Sequence, residues 1–187
     1  MERLDTRIDG PMLIKPRVFG DERGFFMETY RRDKFTELGI PEEMKQDNHS
    51  RSAAKIVRGM HFQIGDGAAK LVRCGRGAIY DVVVDLRQGS PTYGEWEGFE
   101  LSDENHHVVY CPVGFAHGFC VLSDVADVMY KQSNYYADET ERGISYRDPD
   151  VGIEWPIPVD ELIPSERDTN APTLREVEGE LPFRYEA

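Results

Sequence analysis

From Ile56 to Ser133 the chain is a succession of short apolar-rich segments, separated by glycine, proline, serine or acidic residues. After Ile56 to Gln63 come Lys70 to Cys74, Ala78 to Leu86, Gly94 to Leu101, His107 to Cys111, Gly118 to Leu122 and Ala126 to Ser133. Short strands repeated at roughly 8–12 residues predict an all-β sandwich or barrel. Upstream, Pro11 to Phe19 reads as a strand, residues 20–24 as a turn and Phe25 to Tyr30 as a second strand, a hairpin-like pair. Arg31 to Leu38 predicts a short helix stopped by Gly39-Ile40-Pro41. Gln46 to Ser50 is a polar strand or loop. From Asp138 onward prolines recur at 149, 156, 158, 164, 172 and 182 amid many charges and little periodicity. Asp160 to Ser165 could form one helical turn there. Residues 138–187 therefore read as a segment wrapped over the β core, and 1–187 as a single domain.

Composition removes several function classes. The 187 residues are 40% hydrophobic, as in a globular chain with its own core. No apolar run approaches the roughly 20 residues of a membrane span. Met1 to Pro11 lacks the apolar stretch of a signal peptide, which predicts a cytoplasmic protein. Cys74, Cys111 and Cys120 are odd in number and lack metal-ligand spacing, so they read as reduced thiols. The net charge of −13, from 22 basic and 35 acidic residues, repels nucleic acid and anionic membrane. An anionic substrate would need a local basic cluster to overcome that background.

Val57-Arg58-Gly59-Met60-His61-Phe62-Gln63 carries the first chemical signal. In an extended strand Met60 and Phe62 face one way, and Gly59, His61 and Gln63 the other. Arg58 falls on the Met60 face of a regular strand, so a bulge or twist is needed to bring it beside His61. There is no Gly-x-Ser-x-Gly elbow and no phosphate-binding glycine loop. His106 and His107 are adjacent, and His61 lacks the His-x-His partner of a metal-binding cupin. Neither a metal nor a cofactor is expected. A lone histidine in the mouth of a barrel suits proton transfer next to a carbonyl. That chemistry needs a base near neutral pH, a donor for the enolate oxygen and an acid to return the proton. His61 fits the first role with Asp168 as its carboxylate, Lys70 and His117 the second, and Tyr130 the third. Each also has a plain structural reading: a core histidine, a strand-surface lysine, a core tyrosine, an aspartate capping a turn. The residues alone do not choose.

The order of motifs does. Asp21-Glu22-Arg23-Gly24-Phe25-Phe26-Met27-Glu28-Thr29-Tyr30, Gln46-Asp47-Asn48-His49-Ser50, Arg58-Gly59-Met60-His61-Phe62-Gln63 and Lys70-Leu71-Val72-Arg73 come first. Asp81-Val82-Val83-Val84-Asp85, Ser90-Pro91-Thr92-Tyr93-Gly94-Glu95-Trp96, Gly114-Phe115-Ala116-His117-Gly118-Phe119, Tyr130-Lys131, Tyr135-Tyr136, Asp148-Pro149-Asp150 and Ile153-Glu154-Trp155-Pro156 follow. Over nearly its whole length the chain closely resembles the dTDP-4-dehydrorhamnose 3,5-epimerase family, cofactor-free nucleotide-sugar epimerases of the cupin superfamily. The resemblance implies an antiparallel jelly roll in a homodimer that exchanges N-terminal strands, within residues 1–50. It implies His61 as general base, Asp168 as its partner, Tyr130 as acid, Lys70 as enolate stabiliser and His117 as a further polar contact. Arg23, Glu28, Gln46, Asn48, Arg58 and Glu141 match substrate-binding positions, and Arg167 stands at one where the family often has lysine. Arg23 and Arg58 suit a pyrophosphate, and Tyr135 (or its neighbour Tyr136) suits stacking on the base.

Two segments depart from the family pattern. Lys55-Ile56-Val57 replaces a common Gly-Val-Leu run, and Ile64-Gly65-Asp66-Gly67-Ala68-Ala69 replaces a longer proline-containing loop. Both flank the His61 strand, and so bear on which carbons are epimerised and which nucleotide is preferred. A mono-epimerase acting at C3 or C5 alone, and an epimerase of a CDP- or other dTDP-deoxysugar, stay open at this stage. The complete set of His61, Lys70, Tyr130 and Asp168 disfavours a nucleotide-sugar ketoisomerase and a non-catalytic sugar-nucleotide-binding cupin, and the missing His-x-His pair argues against a metal-dependent cupin oxygenase.

Overall fold

In the computed structural model, which describes residues 1–186, two antiparallel sheets stack into a cupin-like jelly roll. The six-stranded sheet has the order β1 (Glu2–Leu4), β2 (Met12–Lys15), β10 (Val108–Cys111), β7 (Lys70–Arg76), β12 (Val125–Gln132), β5 (Gln46–Ala53). The five-stranded sheet has the order β13 (Glu141–Gly143), β6 (Val57–Gln63), β11 (Phe115–Val121), β8 (Ala78–Asp85), β9 (Trp96–Ser102). β3 (Val18–Asp21) and β4 (Gly24–Met27) form a separate hairpin.

Three apolar layers explain the sequence pattern. Between the sheets lie Val72, Val83, Leu101, Val109, Phe119 and Val128. On the outer face of the six-stranded sheet, Met12, Ile14, Leu71 and Val108 pack under Phe35 of helix α1 (Arg32–Glu37). On the outer face of the five-stranded sheet, Met60, Phe62, Val82 and Val84 pack under Ile144, Trp155, Leu174 and Phe183. Strand β8 is thus covered on both faces, which is why Val82-Val83-Val84 is continuous rather than alternating. Residues of the C-terminal segment lie over the outer face of the five-stranded sheet. Its aromatic and aliphatic residues act as the cover of a sheet.

Local readings were refined in three places. Pro11 to Phe19 is two strands: Pro16-Arg17 separates β2 from β3, since proline has no N–H for a ladder. Gln46 to Ser50 belongs to a full strand, β5, paired along its whole length with β12. The helical turn expected over Asp160 to Ser165 is split into a 3-10 turn at Val159–Glu161 and a one-turn helix, α2 (Glu166–Thr169).

Candidate active site

A cavity of about 470 Å³ opens between the sheets, walled by β5, β6, β7, β11, β12 and β13 and closed on one side by α2. Its shape depends on a bulge in β6. His61 is opposite His117 on β11, but Arg58 is opposite Phe119, so three steps on β6 match two on β11. The extra residue reverses the alternation and turns Arg58 to the His61 side, where both line the cavity. The arginine–histidine conflict in the sequence is resolved by this bulge. Gly59 permits it: its φ is +123°, and a Cβ there would stand 2.5 Å from Gly118 Cα and 2.8 Å from the His117 carbonyl oxygen.

His61 Nε2 lies 2.6 Å from Asp168 Oδ1. Burial pushes the Asp168 carboxyl upward, but hydrogen bonds and charge from His61, with bonds from Ser165 and the Gly59 N–H, outweigh it and hold the acid below its ordinary value. An ionised Asp168 accepts a hydrogen bond from Nε2–H, and in that tautomer Nδ1 carries the free lone pair. A second pair lies one strand over: His117 Nε2 is 2.8 Å from Asp81 Oδ2, with Asp81 fully buried. Lys70 is 9% exposed, and the lysine ion pairs of the described residues belong to Lys34, Lys55 and Lys131 instead. Its ammonium is therefore uncommitted. Tyr130 is half-buried; burial and the nearby Glu141 raise its phenol above the usual value, although Arg58 opposes them. It is a protonated tyrosine at neutral pH. Among the described residues, no three His, Cys, Asp or Glu side chains converge as metal ligands would.

The cavity brings together His61, Asp168, Lys70, Tyr130, Arg58, His117, Glu141 and Arg167, eight of the residues singled out in the sequence. Arg167 and Glu141 approach to 3.7 Å across its rim. Gln46 and Asn48 bond each other at 2.9 Å on β5, and Asn48 lines an adjoining groove that shares Tyr130 with the cavity. Three residues lie elsewhere. Tyr135 borders a different groove, and its neighbour Tyr136 lines the cavity instead. Arg23, at the tip of the β3–β4 hairpin, pairs with Asp21, and Glu28 pairs with Lys34. Sequence reasoning missed Ser50, Ser52 and Ser165. The two-residue period of β5 places Ser50 and Ser52 on the face of Gln46 and Asn48. Ser52 Oγ accepts from Arg58 Nε at 3.0 Å, and Ser50 Oγ is buried without a partner. Asp81, too, was visible in the sequence only as part of a valine-rich strand.

A cupin-like jelly roll with a His–Asp pair, an unpaired lysine and a protonated tyrosine around one cavity defines an acid–base isomerase. The family is specific: the chain belongs to the dTDP-4-dehydrorhamnose 3,5-epimerases, whose family model matches residues 5–176. It is 50% identical over 174 residues to the dTDP-4-dehydrorhamnose 3,5-epimerase of Methanothermobacter thermautotrophicus, covering 92% of this chain and 94% of that protein. The crystal structure of a dTDP-6-deoxy-D-glucose-3,5-epimerase from Legionella pneumophila, in complex with dTDP-4-keto-L-rhamnose, superposes with a TM-score of 0.95 at 43% identity, covering 100% of this chain and 99% of that one. A dTDP-4-dehydrorhamnose 3-epimerase from Streptomyces niveus is 45% identical over 163 residues, 86% of this chain and 79% of that protein.

Proposed function

We propose that the chain epimerises dTDP-4-dehydro-6-deoxy-D-glucose at C3 and C5 to give dTDP-4-dehydro-L-rhamnose. The observation that carries this reading is the single cavity in which base, cation and acid meet. The 4-keto group acidifies the protons on both neighbouring carbons. His61 Nδ1 removes one, and the C–H electron pair moves to make an enolate at the C4 oxygen. Lys70 donates to that oxygen, and His117 is a further polar contact in the same cavity. Tyr130 returns a proton from the opposite face, which inverts the centre. A ring flip or a rotation of the sugar then presents the second carbon. The ketone is the electron sink, so the scheme needs no cofactor.

Arg58 takes the pyrophosphate; Gln46 and Asn48 on β5, with Glu141 and Arg167 at the rim, hold the sugar–nucleotide; Tyr136 rather than Tyr135 stacks on the base. Arg23 and Glu28 serve a neighbouring copy. Their hairpin is a two-stranded sheet with Phe25 60% and Phe26 72% exposed, an arrangement of marginal stability by itself. Exchange of this hairpin in a homodimer buries those rings and brings Arg23 to the partner's cavity. The chemistry requires neither nucleic acid nor membrane, and no described helix is long and apolar enough to cross one. We assign it to the cytoplasm.

The similarity to a 3-epimerase supports a second reading, inversion at one carbon only. Proton NMR of dTDP-4-keto-6-deoxyglucose with the protein in D2O separates the two. Deuterium at C3 and C5 with inversion at both supports the 3,5-epimerase. Deuterium at one carbon makes it a mono-epimerase. No exchange overturns both, and the CDP-sugar is then the next substrate to test.

A further inference from the structure

Asp168 sits on α2, a helix of four residues. One turn has no stability of its own, so the carboxylate is only as well placed as the contacts that pin the turn. Ser165 is the residue that pins it. Its Oγ accepts the Asp168 N–H at 3.1 Å as the N-cap, and Ser165 and Asp168 both line the cavity beside His61. An oxygen that accepts the N–H still has its own proton to place, and the neighbouring Asp168 carboxylate is an acceptor. The Asp168 carboxyl, held below its ordinary value, is consistent with that contact.

We propose that Ser165 is a positioning residue for proton transfer: its hydroxyl grips Asp168 at both backbone and carboxylate, so that one carboxylate oxygen is held on His61 Nε2 and Nδ1 is held toward the substrate. The proposal rests on His61 as the base. It differs from a purely structural cap, which would need only an acceptor at position 165.

The test compares Ser165→Ala, Ser165→Thr and Ser165→Asp with the wild type and with His61→Ala. The assay follows turnover of dTDP-4-keto-6-deoxyglucose and dTDP binding by calorimetry, with folding checked by circular dichroism. Threonine keeps both acceptor and donor. Aspartate keeps the N-cap acceptor but has no proton to give and sets a like charge beside Asp168. The expected result is a fall in kcat of about tenfold or more for Ser165→Ala and Ser165→Asp, the scale of a misaligned general base. KM and dTDP affinity stay within about twofold, and Ser165→Thr recovers most of the rate. Wild-type kcat in Ser165→Asp would overturn the proposal by reducing Ser165 to a cap. A rise in KM with unchanged kcat in Ser165→Ala would overturn it by making Ser165 a binding residue. If Ser165→Ala does not fold, the threonine and aspartate variants still decide, because both keep the cap. Near-normal turnover by His61→Ala would instead sink the underlying assignment of the base.

Discussion

His61 meets Asp168 through Nε2, so in the proposed mechanism Nδ1 is the nitrogen turned to the substrate. His61→Ala should lower kcat by at least about a thousandfold, within the range of general-base contributions, with dTDP affinity kept. Near-normal kcat would remove His61 from the mechanism. Tyr130→Phe tests the opposite face. If Tyr130 is the acid, solvent deuterium should still enter the substrate carbon at a rate well above that of product formation. Parallel loss of both rates would show that Tyr130 has no separate role in reprotonation. At this scale the residue types were legible in the sequence, because few residues can act as base, acid and cation. The partners were not. Asp81 and Ser165 acquire meaning only through His117 on the next strand and Asp168 three residues on.

Two elements carry predictions about stability, the β6 bulge beside the cavity and the Asp85 corner at the end of β8. Gly59 packs backbone to backbone on Gly118, so Gly59→Ala meets both a positive φ and a 2.5 Å contact. A loss of about 3 kcal/mol is expected by denaturant unfolding, in the upper range for single substitutions, and activity should fall with it. Unchanged stability would mean that β6 pairs regularly with β11. At the end of β8 the fully buried Asp85 receives Arg87, Ser90 and Thr92 at 2.8–2.9 Å, 2.6 Å and 2.8 Å. Burial pushes this carboxyl up, but those bonds outweigh it and leave it below its ordinary value. A group depressed in the folded state adds stability that is complete above its unfolded value of about 3.9 and is lost as pH falls through the folded value. Asp85→Asn should therefore destabilise the protein at pH 7 by about 3 kcal/mol, as for a broken buried pair. The gap from wild type should narrow as unfolding is measured toward pH 3. A gap that is constant with pH would show that the charge of Asp85 is not what stabilises the corner.

Over the whole molecule, a net charge of −13 surrounds a cavity lined by Arg58, Lys70 and Arg167. Distant repulsion and local attraction respond to different salt ranges, since the screening length falls from about 30 Å at 0.01 M to about 8 Å at 0.15 M and 3 Å at 1 M. For a nucleotide-sugar dianion, kcat/KM should rise from low to intermediate ionic strength as the outer charges are screened, then fall toward 1 M. A steady fall would mean that the acidic surface does not act on the substrate. Exchange of the β3–β4 hairpin is tested by mixing two inactive variants, His61→Ala and Arg23→Ala. Each hybrid dimer would contain one site with both residues intact, so about a quarter of wild-type activity should return on random pairing. No recovery would argue that Arg23 serves its own chain or none.

The β architecture, the N-terminal hairpin and a short list of side chains able to carry the chemistry could be read from the chain itself. Strand periodicity, turn residues and scarce chemical types are local properties of the chain. It took the packed structure to set Arg58 on the face of His61, to place Tyr136 rather than Tyr135 in the cavity, and to cap the turn carrying Asp168 with Ser165. Each of these turns on a backbone offset of a single residue or on the docking of a one-turn helix, which only packing against neighbouring strands can fix.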